Sequence, residues 1–436
     1  MNLKFSVAVF AFKVDNGTKG AFTIMFKNFN KLEKSWIYYD IGNSAFTMMV
    51  STIIPIWFNS LAGNAGLSDA QYLAQWSFAT SIATICTAFM GPVFGAVSDN
   101  KGFKKPMFRF FLLAGVAGCA LLGIVPVWSI YLITYIITKV CYQISLVLYD
   151  SMLTDVTTEE RMDLVSSQGY AWGYLGSCIP FLAALVLYYL GTIGKVPIKL
   201  AITVDFIIVA VWWFGVTVPL LKNYHQIHFV ETDANAIMDS FRRIGNTLVH
   251  MFKEEKNVFW FLLAFFFYID GVYTIIDEAV AIGTSLGLDQ MGLLVVLLLT
   301  QVVAFTFATI FGKLSEKYSS LTLISVCICG YFAVAIYALF MKTLWQFGIM
   351  AFIVGMFQGA IQALSRSYYA QIIPKEASGE YFGLYDICGK GAAFMGTTLV
   401  GIAVSITNSV NIAVDTLGIL FVMGFLFLRK SSSLTK

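Results

Sequence analysis

The chain has 436 residues, of which 58% are apolar and only 12% charged, and it carries a formal charge of +3. Its mean hydropathy of +0.77 lies far above that of a water-soluble domain. These values exclude an ordinary soluble globular protein and give no reason to expect a nucleic-acid partner.

Apolar stretches long enough to cross about 30 Å of hydrocarbon at about 1.5 Å per residue recur along the sequence. In chain order they predict twelve spans: 36–60, 71–97, 106–126, 128–150, 165–190, 198–221, 257–281, 290–313, 321–341, 344–371, 381–406 and 408–429. Backbone in lipid must satisfy its own hydrogen bonds, so each span is expected to be a helix. The fold class is therefore an all-α membrane protein. Residues 1–35 read as an N-terminal tail whose apolar run Phe5–Phe12 is too short to cross, and Met1 and Met25 both stand as translation starts. The expected organisation is this tail, a six-helix bundle over 36–221, a polar loop over 222–256 holding all three histidines, a second six-helix bundle over 257–429, and a tail over 430–436.

The two bundles echo each other. FGAVSD (94–99) after the second span is matched by FGKLSE (311–316) after the eighth, and YDSMLTD (149–155) by RSYYAQI (366–372), at a period of about 217 residues. Such a repeat predicts two pseudo-symmetric halves related by an axis along the membrane normal. Lysine and arginine concentrate in the tails and in the loops on one side, whereas only Lys195, Lys199 and Lys342 fall in loops on the other. The positive-inside rule then puts both termini in the cytoplasm. All seven cysteines lie in spans and read as packing residues rather than a disulfide framework.

Several motifs resemble known families. GAVSDNKGFKK (95–105) is similar to the loop signature of the major facilitator superfamily, with Gly95, Asp99, Gly102, Lys104 and Lys105 at the family's spacing and Phe103 where arginine is usual. YDIGNSAF (39–46), LVSSQGYAWGYLG (164–176), GAIQALSRSYYA (359–370) and YFGLYD (381–386) resemble the vacuole effluxer family of fungal autophagy-related vacuolar amino-acid effluxers and bacterial relatives. Gly42 stands where alanine is expected. The resemblance implies the major facilitator fold, a bacterial cell membrane for this chain, and amino acids as the solute class.

Polar residues inside spans are costly without a partner or water, which makes them candidates for function. They fall on helical faces: Asp40, Asn43 and Thr47 in the first span; Lys139, Gln143 and Asp150 in the fourth; Asp270, Tyr273, Thr274 and Asp277 in the seventh; Gln358, Gln362, Ser365, Arg366 and Tyr369 in the tenth. In the major facilitator fold those four helices line the central cavity. Lys139 and Asp270 are expected to face one another near the midplane, and Lys390 to pair with Asp386 or to serve the site. Asp205 reads as a local hydrogen-bond acceptor. Gly95, Asp99, Gly102, Lys104 and Lys105 are expected to gate the cytoplasmic side.

Other patterns are set aside. GTSLG (283–287) matches a nucleophile elbow but lacks a strand and a nearby histidine. His225 and His228 with Glu231 have only generic metal-ligand spacing, so a solvated loop is expected there. NGT (16–18) lies on the side expected to be cytoplasmic, which excludes glycosylation. No phosphate loop with its lysine is present, and no histidine lies in a span. The expectation is a monomeric secondary active transporter without cofactor or metal, working by alternating access on a small-molecule solute in contact with membrane lipid, with protons or another ion for coupling. The alternatives are a sensor or scaffold of transporter fold, or a porter for a sugar or drug.

Overall fold

The computed structural model describes residues 28–231, 236–285, 287–407 and 409–434; side chains at 69–70, 236–244, 280–281, 285, 290–291, 294 and 390–394 lie outside the description. The helices are α1 (Lys31–Ser51), α2 (Ile53–Asn64), α3 (Asp69–Ser98), α4 (Lys104–Leu122), α5 (Trp128–Ser151), α6 (Leu153–Val156), α7 (Glu159–Thr192) and α8 (Ile198–Asn223), then α9 (Ala236–Lys253). The second half holds α10 (Lys256–Ser285), α11 (Gln290–Leu314), α12 (Ser320–Ala338), α13 (Leu344–Ile372), α14 (Ser378–Thr407), α15 (Val410–Asp415) and α16 (Gly418–Leu434). Eleven segments among the described residues are long and apolar enough to cross a bilayer. The 30-residue α14 supplies the twelfth crossing.

Local chemistry sets the boundaries. Asn30 Oδ1 accepts from the amides of Leu32 and Glu33, each at 2.8 Å, and Glu33 returns a bond to the Asn30 amide at 2.8 Å. This reciprocal cap starts the first helix at Lys31, so residues 31–35 are helix rather than the tail expected from hydropathy. The first crossing breaks at Thr52 because Pro55 has no amide to offer the Ser51 carbonyl and its ring crowds that oxygen. The central segment is another correction: 222–256 is not simply a polar loop. Its first part runs as a strap against the N-terminal half, and its second part is α9, which packs on α3 and α10.

Each half repeats the same internal contact. Tyr39 on α1 shares a hydrogen bond with Ser145 on α5 at 2.8 Å, and Tyr268 on α10 does so with Ser365 on α13 at 2.6 Å. The halves meet along two seams, α3 against α14 and α7 against α11 and α13. Large apolar side chains such as Phe89, Trp345 and Ile406 stay exposed on the outer surface, as hydrocarbon-facing residues should. The side bearing the α3–α4 loop, the 222–256 segment and both described chain ends is called the basic side below.

The α3–α14 seam closes on that side through glycine. A Cβ on Gly95 would overlap the Gly379 carbonyl, and one on Gly379 would overlap the Gly95 carbonyl, so the two backbones touch with no side chain between them. Gly95→Val is therefore expected to lower the thermal unfolding midpoint by the equivalent of about 1–3 kcal/mol, the usual penalty for overpacking a closed contact. An unchanged melting curve would show that the seam does not contribute to the folded state.

Candidate functional site

Among the described residues, the most concentrated group of charges in the membrane-spanning region is built around Arg366. It sits on α13, only 2% exposed, yet its guanidinium reaches into the opposite half. Nη2 donates to Asp40 Oδ2 of α1 at 3.0 Å and Nη1 to Asp150 Oδ1 of α5 at 3.0 Å. Nε donates to Ser166 Oγ at 3.0 Å and Nη2 also to the Ser166 carbonyl at 3.1 Å. The rings of Trp36 and Tyr170 cover the cation at 4.6 and 4.3 Å from their centroids. Gly169 leaves the needed room, because a Cβ there would run into the Asp40 carboxylate. Asn43 sends its amide to the Tyr39 carbonyl at 3.1 Å and to Asp40 Oδ1 at 3.3 Å, which holds the carboxylate in register.

The charge count at this hub is uneven. One guanidinium faces two carboxyl groups, so Arg366 alone cannot balance both of them in the ionised form. Asp150, 20% exposed against 8% for Asp40, is the more open of the two.

Two further carboxylates of the N-terminal half meet donors of the other half. Asp99 accepts the Gly379 amide at 2.8 Å and the Glu380 amide at 2.9 Å, capping the start of α14 where the helix dipole is positive. Lys104 lies 3.4 Å from Asp99 and donates to Ser378 at 2.8 Å, all of it buried. Gly102 adopts φ +80, the left-handed turn that lets the chain double back into α4. Asp163 on α7 accepts from Ser320 at 2.6 Å, from Gln371 at 3.2 Å and, at very short range, from Ser367. Asp163 and Ser166 escaped the sequence reading: they lie within or beside LVSSQGYAWGYLG, but near a span end an aspartate looks solvated.

The strap after α8 lies over the same region. Lys105 donates to the Tyr224 carbonyl at 2.8 Å, and Gln226 accepts from the Gly102 amide at 3.0 Å. Asp155 receives the Tyr224 hydroxyl at 2.6 Å and the His228 amide at 2.9 Å, with His228 Nδ1 also at 2.9 Å. Burial, and then the Asp155 charge, push the Tyr224 phenol well above its ordinary value, so it remains a donor. The expectation of a solvated histidine loop holds for His225 and Glu231, which are exposed, and is corrected at His228, which is pinned to Asp155; no metal-ligating cluster occurs among the described residues.

Toward the other side, the expected Lys139–Asp270 pair does not form. Asp270 is fully buried and accepts from the Gly396 amide at 2.9 Å and Thr274 at 3.3 Å, both within its own half. It braces α10 against α14 instead of facing the cavity. Lys139 lies over the Tyr142 ring at 5.7 Å and interacts electrostatically with Asp277, two turns along α10 from Asp270. Both belong to spans, yet Lys139 is half-buried and Asp277 exposed. Between this pair and the Arg366 hub, Tyr174 donates to Gln362 at 3.4 Å across the halves, Gln143 and Gln358 are buried, and Tyr273 is half-buried. The Lys390 side chain lies outside the described residues. Asp205 is another correction: it is buried, and neither carboxyl oxygen has a hydrogen-bond partner among the described residues.

Two six-helix halves, joined by charged contacts on one side and carrying Lys139 and Asp277 toward the other, define a major facilitator superfamily transporter. A family model described as "Vacuole effluxer Atg22 like" matches residues 72–432, and the chain belongs to that family. It is 40% identical over 409 residues to the MFS-type transporter YxiO of Bacillus subtilis (strain 168), covering 93% of this chain and 95% of that one. Similarity to Autophagy-related protein 22 of Saccharomyces cerevisiae (strain S288c) is 22% over 463 residues, covering 86% and 87%. Among solved structures, the human organic anion transporter MFSD10 (TETRAN) superposes with a TM-score of 0.71 at 13% identity over 91% of this chain and 98% of that one. FucP in its outward conformation gives 0.69 at 14% identity over 92% and 97%.

Removing the guanidinium strands the buried Asp40 and the half-buried Asp150. Arg366→Met is expected to cost about 3–5 kcal/mol, the range for breaking a buried ion pair from one side. Adding Asp40→Asn to that variant should recover part of the loss, because it removes one stranded charge. Thermal unfolding of the purified variants measures both; additive losses would show that Arg366 and Asp40 act independently.

Proposed function

We propose that the protein is a secondary active transporter that moves amino acids by alternating access, with its basic side in the cytoplasm. The observation that carries this reading is the pair of opposite charges, Lys139 from one half and Asp277 from the other, at a cleft whose basic end is closed by Arg366, Asp40 and Asp150. A zwitterionic solute can lay its carboxylate toward Lys139 and its ammonium toward Asp277. Each half then gains a contact that exists only when the halves approach, and that differential interaction is what drives closure over the solute. Tyr142, Tyr273, Gln358 and Gln362 supply the apolar faces and hydrogen-bond groups that such a pocket needs.

Closing the cleft must be matched by opening the basic side. There Asp99 releases the α14 amides, Asp163 releases its hydroxyls, and Arg366 must part from Asp40 and Asp150. The uneven charge count at Arg366 provides a coupling step. A proton arriving at Asp150 through the cleft removes one of the two attractions holding Arg366, and the remaining single pair is easier to hydrate and separate. Gly95, Gly102, Lys104 and Lys105 serve this motion by shaping the loop that presents Asp99.

Thermal-shift screening of purified protein against the amino acids, followed by uptake of the radiolabelled hit into proteoliposomes, tests the substrate. Lys139→Met and Asp277→Asn should each abolish the stabilising shift while leaving the unliganded melting temperature near that of the parent. Persistent shifts in both variants would overturn the zwitterion site. Asp99→Asn should bind the hit normally but slow its uptake, and parental uptake would remove Asp99 from the gate. Proton coupling predicts that uptake of the hit changes the internal pH and responds to an imposed pH gradient. Transport indifferent to that gradient would eliminate it.

A further inference from the structure

The helix α9 carries two faces that the transport reading leaves unused. Its buried face is narrow: Thr247 and Met251 point into the protein, where α9 packs on α3 and α10. Beside it, Leu248, Val249 and Phe252 are 49%, 52% and 60% exposed. In the sequence the apolar residues Ile237, Phe241, Ile244, Leu248 and Phe252 recur at three- and four-residue intervals, the spacing of one helical face. Leu248, Val249 and Phe252 facing water together would be a standing cost, so something apolar covers them.

The fold says what. The C-terminus of α9 at Lys253 is separated from the membrane-crossing α10, which starts at Lys256, by Glu254 and Glu255 alone. Phe252 meets Phe259 of α10 ring to ring at 5.2 Å, so the exposed face runs without interruption into the hydrocarbon-facing surface of that crossing. The helix is basic as well as apolar, with Arg242, Arg243 and Lys253 against Asp239. The two acids that follow turn back on the helix: Glu254 lies 3.3 Å and Glu255 3.6 Å from His250, and Glu255 accepts the Tyr381 hydroxyl at 2.5 Å. An apolar face bordered by cations, held level with the end of a crossing helix, is the construction of a helix that lies in a membrane surface.

We propose that α9 docks on the bilayer leaflet of the basic side, burying Leu248, Val249 and Phe252 among the acyl chains and binding anionic lipid headgroups through Arg242, Arg243 and Lys253. The position gives this docking a consequence. The helix packs on α3, which ends at Asp99, and through His250, Glu255 and Tyr381 it reaches the first turns of α14, which Asp99 caps. Lipid charge on the basic side therefore acts on the two helices of one closing seam.

The test uses the full-length chain carrying a photoreactive diazirine amino acid at Val249 or Phe252. It is reconstituted in vesicles of phosphatidylcholine alone or of phosphatidylcholine with phosphatidylglycerol, and the adducts are identified by mass spectrometry. A diazirine at Phe89, on the outer surface of a crossing helix, reports correct insertion. Lipid adducts at both α9 positions are expected, with phosphatidylglycerol enriched several-fold over its share of the vesicle. Arg242→Gln with Arg243→Gln should remove that enrichment while labelling at Phe89 is unchanged. Cross-links to a second copy of the chain, or the absence of lipid adducts at 249 and 252 beside normal labelling at 89, would overturn the docking. Adducts with no preference for phosphatidylglycerol would overturn the assignment of anionic headgroups.

Discussion

Burying one guanidinium between two carboxylates is the constraint around which this structure is organised. Taking Arg366 out of water costs several kcal/mol, which the protein offsets with Asp40, Asp150, Ser166 and the faces of Trp36 and Tyr170. Every one of those groups lies in the half that Arg366 does not belong to. The C-terminal half therefore cannot satisfy its most expensive residue by itself, and the two bundles, which share no covalent contact beyond the central segment, have a reason to stay closed. The same arithmetic makes the closure reversible. A buried pair is worth little more than its constituents in water, so hydrating the cluster on opening returns much of what separation takes away.

The other closing contacts follow the same polarity. Asp99 and Asp163, like Asp40 and Asp150, belong to the N-terminal half, and each accepts from donors of the C-terminal half: backbone amides in one seam, hydroxyls and an amide side chain in the other. Carboxylates on one half against donors on the other specify the docking register. The internal repeat is thus broken where it matters. Tyr39 with Ser145 and Tyr268 with Ser365 preserve the symmetry inside the bundles, where it supports packing, whereas the seams are complementary because two identical surfaces would present carboxylate to carboxylate.

Much of this was legible in the sequence. Hydropathy gave the crossings, because a bilayer imposes length and apolarity on every one, and helical spacing gathered Asp40, Asn43, Gln362 and Arg366 onto faces that do converge. The loop signature pointed to Asp99, Gly102 and Lys104, whose geometry depends on a tight turn and a helix start that local residues encode. What hydropathy could not resolve was the segment 222–256. Its charges dominate a long window average and hide the apolar interval of α9, and the partners of Tyr224 and His228 are distant in sequence.

Asp270 and Asp277 show where the remaining ambiguity came from. Seven residues make almost two helical turns, so both carboxylates fall on one stripe of α10 and periodicity gives them equal standing as partners for Lys139. Only depth separates them, and a neighbour distinguishes them: the Gly396 amide takes up Asp270, while Asp277 is left exposed and interacts electrostatically with Lys139. A stripe read from sequence states which face meets the cavity. Which residue on that face bears the charge presented to a solute is decided by the backbone donors of the helix packed beside it.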